Sequence, residues 1–300
     1  MNGGQLHLLF PLLSSVLFVV GALFAKRAMA VGTNFRTAAA LSNLCIAGCW
    51  AVVALVRDDG LALADWWTAA WVAAVFVSGQ LLTYLTFHVG DVSLATPILG
   101  VKIILVAVFI STLAGETIPT SIWLAAIFAT AGVAVVQWPA NPKGDESSAV
   151  RRVGLTVGLS LLSAVALSVF DVAVQAYGRQ FGAGRYLPAM FVMVGILSCG
   201  LLPWCDRPSY LRRTSAARPL AIAGVLIAVQ AMSITYALGQ FGDATRVNIV
   251  YSLRGLWSVL FAWLLARMAI SPDAATSSRV LRLRLAGAAL LSAAVVISLA

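Results

Sequence analysis

The sequence predicts an all-α integral membrane protein: ten transmembrane helices arranged as two inverted five-helix repeats around a central cavity. Three observations predict it. Hydrophobic residues (AVILMFWYC) make up 61% of the 300 residues and charged ones (DEKR) 10%, against about 25% charge in soluble domains. A mean hydropathy of +0.95 with no extended polar block excludes a soluble enzyme, a disordered chain and a nucleic-acid-binding domain. The apolar residues fall in ten runs of about 20, the length a helix needs to cross a ~30 Å hydrocarbon core, and the two halves of the chain repeat each other weakly.

The first run, Leu6 to Ala30, lacks a basic n-region and exceeds the roughly 7 to 15 residues of a signal-peptide core, so it counts as a span. Phe35 to Val56 is the second; it stops at the charged turn Arg57-Asp58-Asp59-Gly60. Trp66 to Phe87, Val92 to Leu113 and Ile118 to Gln137 complete the first half. The longest polar stretch, Pro139 to Arg152, then separates residues 1–138 from residues 153–300. Val153 to Ala176 and Tyr186 to Trp204 follow, the latter ending before Arg207-Pro208-Ser209. Leu220 to Leu238, Ala244 to Ala266 and Leu283 to Leu299 close the second five.

The repeat is carried by polar residues, which rarely coincide by chance in so apolar a chain. Val89-Gly90-Asp91-Val92-Ser93 recurs 152 residues later as Phe241-Gly242-Asp243-Ala244-Thr245. At the same offset Thr96 falls on Asn248, Gly100 on Ser252 and Lys102 on Arg254; at 150, Gln80 and Thr83 fall on Gln230 and Ser233. An odd number of spans per half makes the second half enter the bilayer from the opposite side, so the repeat is inverted.

The net charge of +9 reflects loop placement rather than a nucleic-acid surface. The gaps after spans 1, 5, 7 and 9 hold fourteen Lys and Arg, whereas the opposite side holds Arg57, Arg179 and Arg185. Positive-inside counting therefore puts both termini outside the cytoplasm. Cys45, Cys49, Cys199 and Cys205 lie inside or at the ends of apolar runs and suggest neither a disulfide framework nor a metal site.

Ionisable side chains at membrane depth are costly and are candidates for function. Lys102 lies eleven residues past Asp91, about 16 Å along a helix and near the bilayer midplane. Arg254 stands at the same distance from Asp243. Two cations meeting near the middle suit an anionic group; alternatively each neutralises an internal acid such as Asp171 and fixes packing. On continuous helices, Lys102 and Arg254 lie about 200° around from Gly100 and Ser252, which form stripes of small residues, and so point away from those seams into a cavity. Ser160, Ala164, Ser168, Asp171 and Gln175 share one face of span 6 and are expected to line that cavity, with Asp171 as a proton-coupling carboxylate. Gln80, Tyr84, Gln230, Tyr236 and Asn248 are further substrate-binding candidates, although hydrogen bonding between helices is an equal role for such residues. Asp91 and Asp243 begin spans 4 and 9, as helix caps or gate residues. Pro97 predicts a kink in span 4 only, because its counterpart is Ile249.

The stretch Gly90-Asp91-Val92-Ser93-Leu94-Ala95-Thr96-Pro97-Ile98-Leu99-Gly100-Val101-Lys102, continuing to Gly115-Glu116, resembles a hallmark of the EamA-type drug/metabolite transporter superfamily. The counterpart in the second half is degraded, with Arg267-Met268 near the position of Gly115-Glu116. The resemblance implies a basket of helices around a central cavity, alternating access, and export or exchange of small metabolites. Triose-phosphate and nucleotide-sugar carriers of that superfamily bind anions with Lys and Arg. Its well-studied ten-span members carry both termini in the cytoplasm, opposite to the loop count here.

The expectation is a multi-pass secondary carrier of the cytoplasmic (inner) membrane for a small polar, anionic metabolite, without cofactor, metal or nucleic acid, as a monomer or homodimer. Export of amino acids or cationic drugs by proton antiport, a flippase for a lipid-linked carrier, and a passive channel are the alternatives. Enzyme chemistry is not expected. His88-Val89-Gly90-Asp91 lacks the first glycine of an intramembrane aspartyl protease signature, and no HExxH, GxSxG or phosphate-binding loop occurs.

Overall fold

The computed structural model describes residues 3–56, 60–89, 98–136, 146–267 and 278–299. Among these the chain is helical, without a strand. The helices are α1 (Leu9–Ala30), α2 (Phe35–Val56), α3 (Trp66–Val89), α4 (Lys102–Thr112), α5 (Thr120–Val136), α6 (Glu146–Phe181), α7 (Ala183–Cys199), α8 (Pro208–Arg213), α9 (Ala217–Phe241), α10 (Ala244–Tyr251), α11 (Arg254–Arg267) and α12 (Ser278–Leu299). Short 3-10 turns precede α1 and α3 and follow α7.

Among the described residues six helical stretches are long and apolar enough to cross a membrane: Leu6–Ala30, Phe35–Val56, Leu63–Thr86, Gly154–Phe181, Ala217–Phe241 and Arg282–Leu299. They coincide with expected spans 1, 2, 3, 6, 8 and 10. The described parts of the other four expected spans are shorter. Spans 5 and 7 are helices of 17 residues each, about 26 Å long, and spans 4 and 9 are interrupted. Helix α6 also begins earlier than expected, at Glu146, so part of the polar stretch between the halves is already helical.

The polarity of the fold is inverted relative to a water-soluble bundle. Leu55, Val56, Leu63 and Trp67 are exposed, while Ser14, Ser15, Asn43, Ser160, Asp171 and Asn248 are buried. Lipid tolerates the former, and backbone or side-chain partners must satisfy the latter. The largest apolar core runs from α2, α3, α6 and α7 into α9, α10 and α4: Trp50 stacks on Phe191 at 5.8 Å, and Phe76 meets Phe170 at 4.7 Å and Phe191 at 5.6 Å.

Helix packing follows a regular scheme. α1 packs on α9 and α3 on α6; α2 packs on α7 and α5 on α12; α2 also meets α9, and α3 meets α7. α4 leans on α6, and α10 and α11 lean on α1. Small residues permit the closest approaches. A Cβ on Gly178 of α6 would sit 2.5 Å from the backbone of Gly239 in α9, and one on Gly287 of α12 would sit 2.6 Å from the Val136 nitrogen of α5.

Candidate functional site

Lys102 begins α4 and Arg254 begins α11. Each follows a two-residue turn, Gly100-Val101 and Ser252-Leu253, at positions 152 residues apart. The helix tightens there to 3-10 bonding: the N–H of Val101 donates to Ile98 O at 3.0 Å and that of Ile103 to Gly100 O at 3.2 Å. In the second half, the N–H of Leu253 donates to Val250 O at 3.1 Å and that of Gly255 to Ser252 O at 3.0 Å. Gly100 is a poor helix residue. The Ser252 hydroxyl donates back to Ile249 O at 2.6 Å, a local bond that competes with the helical ladder. Such tightening within a helix often marks a hinge.

These turns correct two expectations. The interruption is not confined to span 4, because Ser252-Leu253 breaks span 9 without a proline; Pro97 itself lies outside the described residues. Nor do the cations point away from the small residues. Gly100, Lys102, Asn248, Tyr251, Ser252 and Arg254 all line one cavity, since the 200° separation holds only for an uninterrupted helix. The cavity is about 10 Å³, room for about one water.

Within the site the two cations have different neighbours. Lys102 Nζ lies 2.8 Å from Asp171 Oδ2, with side chains 13% and 2% exposed. Asn248 Nδ2 donates to the same oxygen at 2.7 Å and to Ala244 O at 2.9 Å. The Ser168 hydroxyl lies within 3.3 Å of the Lys102 carbonyl, to which it donates. A desolvated pair held this way keeps its charges only because each has the other. Arg254 faces aromatic rings instead, its guanidinium carbon 4.6 Å from the Tyr251 centroid and 4.9 Å from that of Phe18. Among the described residues no carboxylate pairs with Arg254, and α1, which supplies Phe18, contains no Asp or Glu. Lys102, Arg254 and Asp171, all ionised, sum to +1.

The rest of the span 6 stripe is buried as expected, but it does not line the cavity. Ser168 also donates to Ala164 O at 2.7 Å. Gln175 accepts from the Ala244 N–H at 2.7 Å and donates to Glu116 Oε1 at 3.0 Å. The first bond lies within α6, the other two tie α6 to α10 and to the segment after α4, and Asp171 alone of the stripe reaches the cations.

Other expected binding residues lie elsewhere. Gln230 Nε2 donates to Ser14 Oγ at 2.8 Å, and Ser14 Oγ donates to Gln230 O at 3.1 Å, joining α9 to α1. The hydroxyls of Tyr84 and Ser42 are 3.1 Å apart. Tyr236 packs edge-on against Phe10 and Phe241, and Gln80 is half-buried on α3. Asp91 lies outside the described residues. Asp243 precedes α10 but makes no side-chain cap bond; Gln175 takes the Ala244 N–H instead. The Asp243 carboxylate lies 3.4 Å from Arg246 Nη1 and 3.7 Å from His7 Nε2.

A second polar network, not expected from the sequence, gathers at the N-terminal face. Arg179 of α6 pairs with Glu116, which follows α4, and also donates to the Gly242 carbonyl after α9. Gly242 adopts a left-handed φ of +65° as the cap of α9, and a Cβ there would run into the Arg179 side chain. Neither Arg179, which counts only as a loop charge, nor the rings of Phe18 and Tyr251 carries a sequence signal that separates it from its neighbours.

No protein-family model and no curated protein matches the chain. Solved structures do match its shape: one crystal structure of a protein 16% identical in sequence superposes over 97% of this chain and 95% of that one, with a TM-score of 0.61. The likeness is one of fold.

Proposed function

We propose that this chain is a secondary active transporter of the EamA-type drug/metabolite transporter superfamily, with ten spans in two inverted five-helix repeats. On this reading it resides in the cytoplasmic membrane and moves a small polar, anionic metabolite by alternating access. One observation carries the proposal: two hinge turns 152 residues apart bring Lys102 and Arg254 to a single cavity with a positive charge in excess. Interrupted helices in corresponding positions of two halves are the usual substrate sites of carriers with inverted repeats. The packing scheme supports the repeat. Shifting every span by five turns the α1–α9 contact into α6–α3, and the α2–α9 contact into α7–α3, and both partners of each exchange are observed.

The cycle follows from the site. In the closed form Asp171 neutralises Lys102, so the empty site can shut without burying two unmatched cations. Opening at Gly100-Val101 or Ser252-Leu253 admits the anion from one face or the other. On this reading Asp171, held in place by Asn248, is the coupling carboxylate. That same carboxylate favours a second reading, export of amino acids or cationic drugs against protons. Thermal unfolding of the detergent-purified chain against organic anions, neutral amino acids and cations separates the two, because only a ligand of the folded state raises apparent stability. Anions that stabilise the protein should then show saturable counterflow in proteoliposomes. Stabilisation by cations or neutral amino acids alone would overturn the anionic reading.

A further inference from the structure

Resting on the carrier reading and narrowing it, we infer that Arg254 receives the anionic group of the substrate, Lys102 does not, and the site takes a single negative charge, as on a monocarboxylate with an apolar body. The surroundings of the two cations decide this. The charge of Lys102 is already matched at 2.8 Å by a carboxylate that is 2% exposed and held by Asn248 at 2.7 Å. A substrate anion at Lys102 would have to displace Asp171 or sit beside it, and either places two buried negative charges together.

Among the described residues Arg254 has no such competitor. Aromatic rings offer only a π-face to a cation, and even with one donor on the Tyr251 hydroxyl most of the five N–H donors of the guanidinium are left for a ligand. The planar fork fits a carboxylate with two parallel bonds. α1 packs on α10 and α11 as α6 packs on α4, but it brings no acid to play the part of Asp171.

The charge sum sets the valence. One carboxylate brings the +1 of Lys102, Arg254 and Asp171 to zero, whereas a phosphate monoester, with about −1.5 to −2 at pH 7, overshoots. Phe18, Tyr251 and Ile103 provide apolar walls beside the fork, which favours a body of matching character.

The test is ligand-dependent thermal unfolding of the purified full chain at constant ionic strength, with benzoate, succinate, inorganic phosphate, benzamide and benzylamine as probes. Benzoate stabilises the protein saturably, and succinate and phosphate bind more weakly than benzoate. Benzamide, its neutral counterpart, has no effect. Arg254→Gln weakens benzoate by about tenfold or more, the loss expected for a charge-assisted bond. Arg254→Lys, which keeps the charge and loses the fork, also weakens it and serves if the glutamine variant does not fold. Lys102→Met/Asp171→Leu removes both charges of the pair together and changes benzoate affinity by no more than about threefold. Loss of benzoate in that double variant but not in Arg254→Gln would assign the anion to Lys102. Tighter binding of succinate or phosphate than of benzoate would refute the single charge, and silence toward all three anions overturns the inference. In each of the first two cases the anionic carrier survives; stabilisation by benzylamine alone removes the anionic reading with it.

Discussion

Lys102 and Arg254 occupy the same register of two interrupted helices and line the same cavity, but they are stabilised by opposite means. Lys102 is locked to a buried carboxylate with a second hydrogen bond from Asn248. Arg254 lies against the rings of Tyr251 and Phe18. The difference arises from the helix each one meets: α6 brings Asp171, whereas α1 brings Phe18 and contains no acid. A repeat can therefore preserve the position of a charge while changing its partner. On the proposed reading this divides the labour, with one half acting as an internal latch and the other holding a cation ready for substrate.

The largest test of this contrast is removal of Asp171. Asp171→Ala strands an ammonium that is 13% exposed, and breaking a buried pair from one side costs about 3–5 kcal/mol. The unfolding temperature of the detergent-purified protein should fall accordingly. Lys102→Met/Asp171→Leu should recover most of the loss, because replacing both charges by apolar groups is often neutral. If the double variant unfolds as early as Asp171→Ala, the ion pair is not what stabilises this half.

How much of this was legible in the sequence depends on the kind of signal. Long apolar runs specify membrane-length helices through composition alone, and the six longest helices appear where those runs predict them. The buried face of α6 also follows from helical spacing. Lys102, Asp171, Asn248 and Arg254 could be singled out because polar groups are rare at that depth, and the structure brings these four together. Gln80, Tyr84, Gln230 and Tyr236 carry the same type of signal but lie elsewhere, since a polar residue between helices and one at a cavity look alike in sequence. The hinge turns escape periodicity altogether: 3-10 and α-helical bonding differ by one residue per bond over a few residues, too little to disturb an apolar pattern. Phe18 and Tyr251 are hidden among the aromatic residues of an apolar chain, and Gln175 rather than Asp243 capping α10 is a tertiary contact between distant segments.

A middle-sized test uses a crossing with no counterpart in the packing scheme. α6 and α9 touch through Gly178 and Gly239, with 2.5 Å between a Cβ on the former and the backbone of the latter. The corresponding pair, α1 and α3, is not among the main contacts of the described residues. Gly178→Ala should lower stability by about 1–3 kcal/mol through overpacking, while alanine at Gly48 of α2, where a Cβ meets nothing within 4 Å, should not lower it and should raise it by up to about 1 kcal/mol. Equal effects on unfolding temperature would mean that the α6–α9 crossing opens easily. Arg254→Gln comes next, at about 0.5–2 kcal/mol for the lost aromatic contacts. A loss as large as that of Asp171→Ala would mean that Arg254 is latched as firmly as Lys102 and would remove the contrast between the halves.

The smallest effect on stability concerns the N-terminal face. The side chains of Arg179 and Glu116 are 47% and 36% exposed, so Glu116→Gln should change stability by at most about 1 kcal/mol. On the proposed carrier reading its consequence for transport should be larger and directional. The residue 152 positions after Glu116 is Met268, so the matching position of the second half offers no carboxylate for such a pair. Glu116 holds together the ends of α4 and α6, and Arg179 extends the link to the end of α9 through the Gly242 carbonyl. These segments must part if substrate is to leave by the N-terminal face, whereas opening toward the other face leaves the link intact. Counterflow in vesicles of defined orientation should therefore show faster exchange at the N-terminal face for Glu116→Gln, with little change at the opposite one. Equal acceleration at both faces would mean that the pair stabilises the closed form as a whole, and the asymmetry between the halves would then end at Lys102 and Arg254.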